Sequence, residues 1–308
     1  MAIARKRQVS LVDTKYYHCI SRCVRRAFLC GVDNFTNQSY EHRRGWVESK
    51  LLALANVFCI DVCAYAVMSN HTHLVLYVDD KKAKRLTDKA IIQRWHRLCK
   101  GTVLTNKYLQ GEELSKIEWL FLNETIIEYR ERLANISWFM RLLNEDIARR
   151  ANKEDNCTGR FWEGRFKSQA LLDEAALIAC MAYVDLNPIR AKAAATPETS
   201  DHTSVKIRIE SATAGKQPKQ LLRFSGKPKK HMAKGLPFAL KSYLELVELT
   251  GRCIREGKAG YIESSTLPLL QRVNITPENW LKLTTQFSRV FHGAVGRPAS
   301  HEGYCEHL

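Results

Sequence analysis

Alternating apolar and polar positions in the first eighty residues predict three strands and one helix. Residues 16–25 (YYHCISRCVR) interleave aromatic and apolar side chains with polar ones, as strands do. Residues 37–58 instead predict a helix, because their apolar side chains share one helical face. These side chains are Val47, Leu51, Leu54, Ala55 and Phe58. Residues 58–68 and 71–78 predict two more strands, and the short polar link Ser69-Asn70 predicts an antiparallel hairpin between them.

The next hundred residues predict further helices and a fourth strand. Residues 80–155 are polar, charged and helical in pattern, with a second apolar stripe at Ile136, Phe139, Met140, Leu143 and Ile147. After a loop, residues 166–172 predict a strand, and Asp173 is the expected N-cap of a helix that Pro188 ends. The order β-α-β-β-α-β-α predicts an α+β fold of ferredoxin-like type, an antiparallel sheet with helices on one face.

The remaining residues differ in composition from this core. Residues 196–235 carry nine Lys and Arg against three acidic residues, together with several Pro and Gly, and predict a basic, partly flexible linker. Residues 236–308 show short helical patterns, as at Leu240, Tyr243, Leu244 and Val247. We therefore expect one domain over residues 1–195 with an insertion at about 84–134, then the linker, then a small helical and basic C-terminal extension.

The charge balance narrows the choice of partner. The 308 residues are 45% hydrophobic and 26% charged, which is ordinary for a globular protein, but the net charge is +16. Such a surplus indicates a polyanionic partner, either nucleic acid or an anionic membrane surface. No stretch approaches the ~20 apolar residues of a spanning helix. The basic N-terminus also lacks the apolar core of a secretory signal, so we expect a cytoplasmic, nucleoid-associated protein.

Cysteine spacing and absent motifs exclude several common functions. The ten cysteines contain no Cys-x-x-Cys pair and predict reduced, mostly buried thiols, with a zinc site at Cys19 and Cys23 as the alternative. The sequence has no Walker-type loop, no Gly-x-Gly-x-x-Gly, no His-Glu-x-x-His and no Gly-x-Ser-x-Gly. ATPase, dehydrogenase, zincin and serine-hydrolase functions therefore lose their usual support.

The first candidate for chemistry is His71-Thr72-His73 in the third predicted strand. Side chains alternate along a strand, so the two imidazoles share one face with Cα atoms about 7 Å apart and can converge on a divalent cation. The alternative is two ordinary histidines on a solvated face. The flanking runs are strongly apolar, however, and histidines inside a packed sheet need polar partners.

The second candidate is the pair Tyr183 and Asn187 in Met181-Ala-Tyr-Val-Asp-Leu-Asn-Pro188. Residues four apart lie on one helical face, so a phenol and a carboxamide would project together. Asn187 precedes a proline, which biases its backbone away from helical geometry. The alternative is a core tyrosine beside a helix-terminating Asn-Pro.

Together these motifs resemble the single-tyrosine HUH transposases, and most of all the REP-associated tyrosine transposases. The resemblance rests on Asn70-His71-Thr72-His73, the loop 160–166 (RFWEGRF) and Tyr-x-x-x-Asn-Pro, and covers about residues 10–195. It implies an enzyme that cuts and rejoins single-stranded DNA, often beside hairpins, through a 5′-phosphotyrosine intermediate. Tyr183 would be the nucleophile, and His71, His73 and Asn187 would bind Mg²⁺ or Mn²⁺.

Elementary chemistry agrees with these roles. A phenol is a poor nucleophile at neutral pH, and a divalent cation held by neutral imidazoles and an amide keeps open positions for a phosphate. Basic residues would bind the DNA backbone, and aromatic rings in the loop would stack on unpaired bases. The predicted DNA-binding residues are Arg22, Arg25, Arg26, Arg160, Phe161, Trp162, Arg165 and Lys167. For Phe161 and Trp162 the alternative is closure of the core beneath the strand.

Two other functions remain open at this point. One is a non-catalytic regulator that binds DNA or RNA hairpins through the same surface. The other is a metal-dependent phosphodiesterase that uses water in place of tyrosine. The DNA target, the oligomeric state (monomer or homodimer), and the roles of the insertion and of residues 236–308 do not follow from the sequence.

Overall fold

Four antiparallel strands form the sheet that positions every candidate site residue. The computed structural model of the protein describes residues 9–24, 29–33, 37–226, 234–255 and 267–306. The strands are β1 (Tyr16–Arg22), β2 (Ile60–Val67), β3 (His71–Val78) and β4 (Lys167–Leu171). Their order in the sheet is β2-β3-β1-β4, and every neighbouring pair is antiparallel. The predicted α+β class and antiparallel sheet are confirmed.

Helices of very different lengths surround this sheet in the described residues. They are α1 (His42–Val57), α2 (Asp80–Arg85), α3 (Asp88–His96), α4 (Val103–Gln110), α5 (Lys116–Leu133), α6 (Ile136–Glu154), α7 (Glu174–Asp185), α8 (Asn187–Arg190), α9 (Ser204–Thr213), α10 (Leu240–Arg255), α11 (Leu267–Arg272), α12 (Pro277–Val290) and α13 (Pro298–Glu306). None of these helices is long and apolar enough to cross a membrane.

The sheet is covered by helices on both faces, so the prediction of helices on one face is wrong. Alternate residues of β3 belong to different cores: Leu74 and Leu76 pack with α1 and α6, whereas Val75 packs with α7. The physical reason lies in α7, which is apolar all round. Every residue from Ala176 to Asp185 is buried, as in a helix enclosed between two layers.

Local signals along the chain set the element boundaries near the site. The predicted hairpin at Ser69-Asn70 forms, and β3 begins directly after it at His71. Asp173 caps α7, as predicted, by accepting a hydrogen bond from the backbone N–H of Ala176 at 2.8 Å. The helix ends at Asp185, before Pro188, which lies inside the short helix α8. This turn separates Asn187 from the last turn of α7.

The described part of the predicted linker is packed structure, which differs from the expected flexible connector. Helix α9 lies against β2, and Arg208 is fully buried there. Its guanidinium donates to the carbonyls of Cys63 at 2.8 Å and Leu222 at 3.0 Å. Composition did not predict this packing, because in the sequence alone a buried arginine whose Nη2 donates to backbone carbonyls cannot be distinguished from an exposed charge of a linker. Residues 227–233 of the predicted linker lie outside the described residues.

The insertion and the C-terminal helices enlarge the two cores. Helices α3, α4 and α5 pack on one another, and Trp95 of α3 stacks on Tyr129 of α5 with ring centroids 4.9 Å apart. On the other face, α12 packs along α7, and Phe287 of α12 is fully buried. The C-terminal extension therefore touches the helix that carries Tyr183.

Candidate active site

Strand pairing gathers the polar side chains of three strands on one face. Arg22 of β1 stands opposite His71, and Ile20 stands opposite both His73 and Lys167. A cleft of about 490 Å³ opens at this end of the sheet. It is lined by Ile20, Arg22, His71, His73, Glu163, Gly164, Arg165, Lys167, Tyr183 and Ser288.

The two predicted histidines converge inside this cleft. The Nε2 atoms of His71 and His73 lie 3.0 Å apart. Burial, followed by the charges of Arg22 and Arg190, lowers the pKa of His71 to about 4. Burial and the neighbouring histidines hold the pKa of His73 well below its ordinary value. Both imidazoles are therefore neutral at pH 7, which is the form that binds a metal ion.

A third histidine extends the pair into the protein. The Nδ1 atom of His73 lies 2.9 Å from Nε2 of His18, and the two rings are stacked. Nδ1 of His18 lies 2.9 Å from Oε1 of Gln169, and Nδ1 of His71 lies 2.6 Å from Oδ1 of Asn70. Every ring nitrogen of the pair other than the facing Nε2 atoms thus has a partner that fixes its orientation.

This donor set fits a divalent cation that takes nitrogen and oxygen ligands. Two neutral imidazoles with converging Nε2 atoms supply two ligands. Among the described residues, no three His, Cys, Asp or Glu side chains form a metal-binding group.

Tyr183 stands beside the histidine pair with its ring held from several sides. Its ring centroid lies 5.6 Å from that of His73 and 5.6 Å from that of Phe287. The guanidinium of Arg190 lies 3.8 Å above the ring, and Arg190 donates to the carbonyls of Tyr183 and Thr284. Within the described residues the phenolic hydroxyl makes no hydrogen bond, and the side chain is 9% exposed on the cleft. The ring is fixed, while its hydroxyl has no protein partner there.

Asn187 is placed differently from the other predicted metal ligands. It begins α8 beyond the turn after α7, and the residues found to line the cleft do not include it. The side chain is buried, and its Nδ2 atom has no hydrogen-bond partner among the described residues. The role of Asn187 as a third ligand stays a prediction.

The predicted DNA-binding residues fall into separate groups. Arg22, Arg165 and Lys167 line the cleft, where Glu163 is the one acidic side chain among the described lining residues, so these residues give the cleft a positive charge suited to phosphate. Arg160 lies in a different cleft, together with Asp155 and Asn152. Arg25 and Arg26 lie outside the described residues.

The base-stacking role predicted for Phe161 is wrong. Its ring is 3% exposed and packs in the core formed with α1 and α6. Trp162 is half-buried, and its indole N–H donates to the carbonyl of Asn144 at 2.8 Å. The alternative considered for this pair, closure of the core, describes both side chains, because burial of aromatic area stabilises more than exposure in a loop.

Sequence reasoning missed the residues that support the site from behind. His18 and Arg190 contact the candidate residues directly, and Gln169 contacts His18. Phe287 and Ser288 come from the C-terminal extension. His18 carries a signal that alternation could have revealed, because it stands on a predicted strand in register with Ile20 and Arg22. The contributions of Gln169 and of α12 depend on long-range pairing that has no local signal.

Comparison with known proteins gives one structural match. No family model and no curated protein matches the sequence. A solved structure of a REP-associated tyrosine transposase bound to a REP hairpin matches with a TM-score of 0.39 and 9% sequence identity. The alignment covers 76% of this chain and 98% of that chain. Any function for this chain must therefore be argued from its own residues.

Proposed function

We propose that this chain is a single-tyrosine transposase of the REP-associated type, which cuts and rejoins single-stranded DNA. The observation that carries the proposal is the position of Tyr183. Its fixed ring stands beside two converging neutral imidazoles in one basic cleft, and its hydroxyl has no partner in the described residues. A tyrosine that served only to fill a core would not need this setting.

The basic side chains prepare the reaction by holding DNA. Arg22, Arg165 and Lys167 would bind phosphates of a single strand and bring one of them between Tyr183 and the histidine pair. His71 and His73, with Asn187 as the proposed third ligand, would hold Mg²⁺ or Mn²⁺. When bound there, the ion supplies positive charge that polarises the phosphate.

Tyr183 then acts as the nucleophile. Its phenolic oxygen attacks phosphorus, a bond from tyrosine to the 5′-phosphate forms, and the bond from phosphorus to the 3′ oxygen breaks. The phenolic proton is lost and the released 3′ oxygen gains one, so atoms and charge balance. Attack by a 3′-hydroxyl on the phosphotyrosine reverses the reaction and rejoins a strand. Energy is conserved in the ester, which agrees with the lack of an ATP-binding motif.

The test compares cutting with binding in one pair of proteins. Tyr183→Phe removes one oxygen and no hydrogen bond made within the described residues, so folding should be preserved. We expect the variant to bind a labelled single-stranded DNA hairpin within a few-fold of the wild type and to lose cleavage in Mg²⁺ or Mn²⁺. Cleavage at the wild-type rate would exclude the tyrosine mechanism and favour attack by water. Binding without cleavage by either protein would favour the non-catalytic hairpin-binding regulator.

A further inference from the structure

A chain of hydrogen bonds connects the C-terminal extension to the histidine pair. The carbonyl of Phe291, the residue that caps the end of α12, accepts a hydrogen bond from Nε2 of Gln169 at 2.6 Å. Oε1 of Gln169 contacts Nδ1 of His18 at 2.9 Å, and Nε2 of His18 contacts Nδ1 of His73 at 2.9 Å. Gln169 and His18 are each buried, so water does not replace these partners.

Each link in this chain permits only one direction of donation. A carbonyl oxygen only accepts, so the amide nitrogen of Gln169 must face Phe291 and its oxygen must face His18. Nδ1 of His18 therefore carries the hydrogen. His18 is fully buried, and its two ring nitrogens contact an amide oxygen and another imidazole, so no charged partner compensates a buried cation there and the ring is neutral. A neutral ring has one hydrogen, so its Nε2 atom accepts. Nδ1 of His73 must then be the donor.

The same reasoning fixes the other side of the pair. Nδ1 of His71 contacts Oδ1 of Asn70, an acceptor, and so carries the hydrogen of that ring. The Nε2 atoms of His71 and His73 then both present lone pairs to each other across 3.0 Å. Two facing lone pairs repel unless a positive charge lies between or beside them, which is the arrangement that two ligands of one cation adopt.

We propose that Gln169 and His18 are positioning residues that keep Nε2 of His73 free of its proton, and that the carbonyl at the end of α12 sets the direction of the relay. The C-terminal extension thereby prepares the metal site without contacting the metal. The effect on metal binding rests on the proposed function. The position of the hydrogen on the His73 ring is inferred from the hydrogen bonds alone and does not depend on that function.

Nuclear magnetic resonance of the metal-free, full-length protein with ¹⁵N-labelled histidine tests the relay directly. Long-range ¹H–¹⁵N correlations report which ring nitrogen carries the hydrogen. We expect His18, His71 and His73 all to carry it on Nδ1. A hydrogen on Nε2 of His73 in the wild type would overturn the proposal, whatever the protein binds.

Variants at Gln169 add a readout of Mn²⁺ affinity from the electron paramagnetic resonance signal of the free ion. Gln169→Leu removes the acceptor for His18, so Nε2 of His73 can regain a proton. Loss of such an outer partner should weaken Mn²⁺ binding about 10–100-fold. Gln169→Glu keeps an oxygen facing His18 and should retain affinity within a few-fold. Ser168→Ala is the matched control, because its side chain points to the opposite face of β4.

The outcomes separate the relay from the proposed function. In one outcome the wild type binds Mn²⁺, and Gln169→Leu folds with the same Mn²⁺ affinity and the same hydrogen positions on its histidines. That outcome refutes the relay and leaves the transposase proposal standing. If the wild type binds no Mn²⁺, the proposed metal site fails, and the histidine spectra still decide the relay. If Gln169→Leu does not fold, the wild-type histidine spectrum and the Mn²⁺ affinity of Gln169→Glu test the relay instead. A loss of Mn²⁺ affinity of about 10–100-fold in Gln169→Glu, the size expected for Gln169→Leu, would contradict the relay.

Discussion

Replacing Asp185 by asparagine should remove a pH-dependent part of the protein's stability. Asp185 is the last residue of α7, two positions after Tyr183, and its fully buried side chain faces α9 and α10. Its carboxylate accepts hydrogen bonds from the hydroxyls of Ser204 and Tyr243 and from the backbone N–H of Val205. Burial raises the pKa of Asp185 to about 6 in spite of these donors.

The sign and size of the effect follow from that raised pKa. Between the ordinary carboxyl pKa of 3.8 and about 6, the folded protein binds a proton that the unfolded chain does not bind. The contribution of Asp185 to the free energy of unfolding therefore increases as the pH falls through this window, and is constant below 3.8. At 1.36 kcal/mol per pKa unit the total change is about 3 kcal/mol.

Asparagine is a suitable replacement because it fits the same partners. Its carbonyl oxygen can accept from Ser204 and Val205, and its amide can donate to the hydroxyl oxygen of Tyr243. Urea unfolding of wild type and Asp185→Asn should be measured at several pH values between 4 and 7.5. The buried histidines with lowered pKa values also make the free energy of unfolding depend on pH over part of this range. Both proteins contain these histidines, so their effect cancels when the two free energies are subtracted.

The expected result is that wild type gains stability relative to Asp185→Asn as the pH falls from 7.5 to 4. A difference that stays constant over this range would show that the folded-state pKa of Asp185 is not raised. A difference that changes in the opposite direction would mean that its hydrogen bonds outweigh its burial. Either result would refute the inference that burial against α9 and α10 raises the pKa of Asp185.

Further predictions concern the cleft. His71→Ala and His73→Ala should each weaken Mn²⁺ binding at least about 10–100-fold while circular dichroism shows a folded protein. Thr72→Val, on the opposite face of β3, should leave Mn²⁺ binding unchanged and match or exceed wild-type stability, because it replaces a buried hydroxyl that lacks a partner within the described residues. Lys167→Ala should lower the slope of log K against log salt for single-stranded DNA by about 1, whereas Lys84→Ala, exposed on α2 away from the cleft, should leave the slope unchanged.

Local periodicity was enough to predict the sheet and the central part of the cleft. His71 and His73 share a strand face because side chains alternate, and the polar link before them set the hairpin. The helix that carries Tyr183 was predicted from its cap at Asp173 and its apolar run. The structure brings these residues together, as their order along the chain led us to expect.

The remaining features depend on packing that local patterns do not encode. Gln169 meets His18 only through the pairing of β4 with β1, 151 residues apart in the chain. A basic composition around Arg208 indicated a linker, although its charge is buried against backbone carbonyls. The sequence did not decide the role of Phe161, because an aromatic side chain in a basic loop can either stack on a nucleic-acid base or pack in the hydrophobic core.

Mapping a covalent adduct tests the central claim most directly. The full-length protein is incubated with a single-stranded DNA hairpin that is labelled in the segment whose 5′-phosphate becomes bonded to tyrosine, and is then denatured and digested with protease. The account predicts a labelled nucleotide joined to the peptide that contains Tyr183, and no such adduct from Tyr183→Phe. An adduct on a different residue, or cleavage that leaves no adduct at any time, would contradict it.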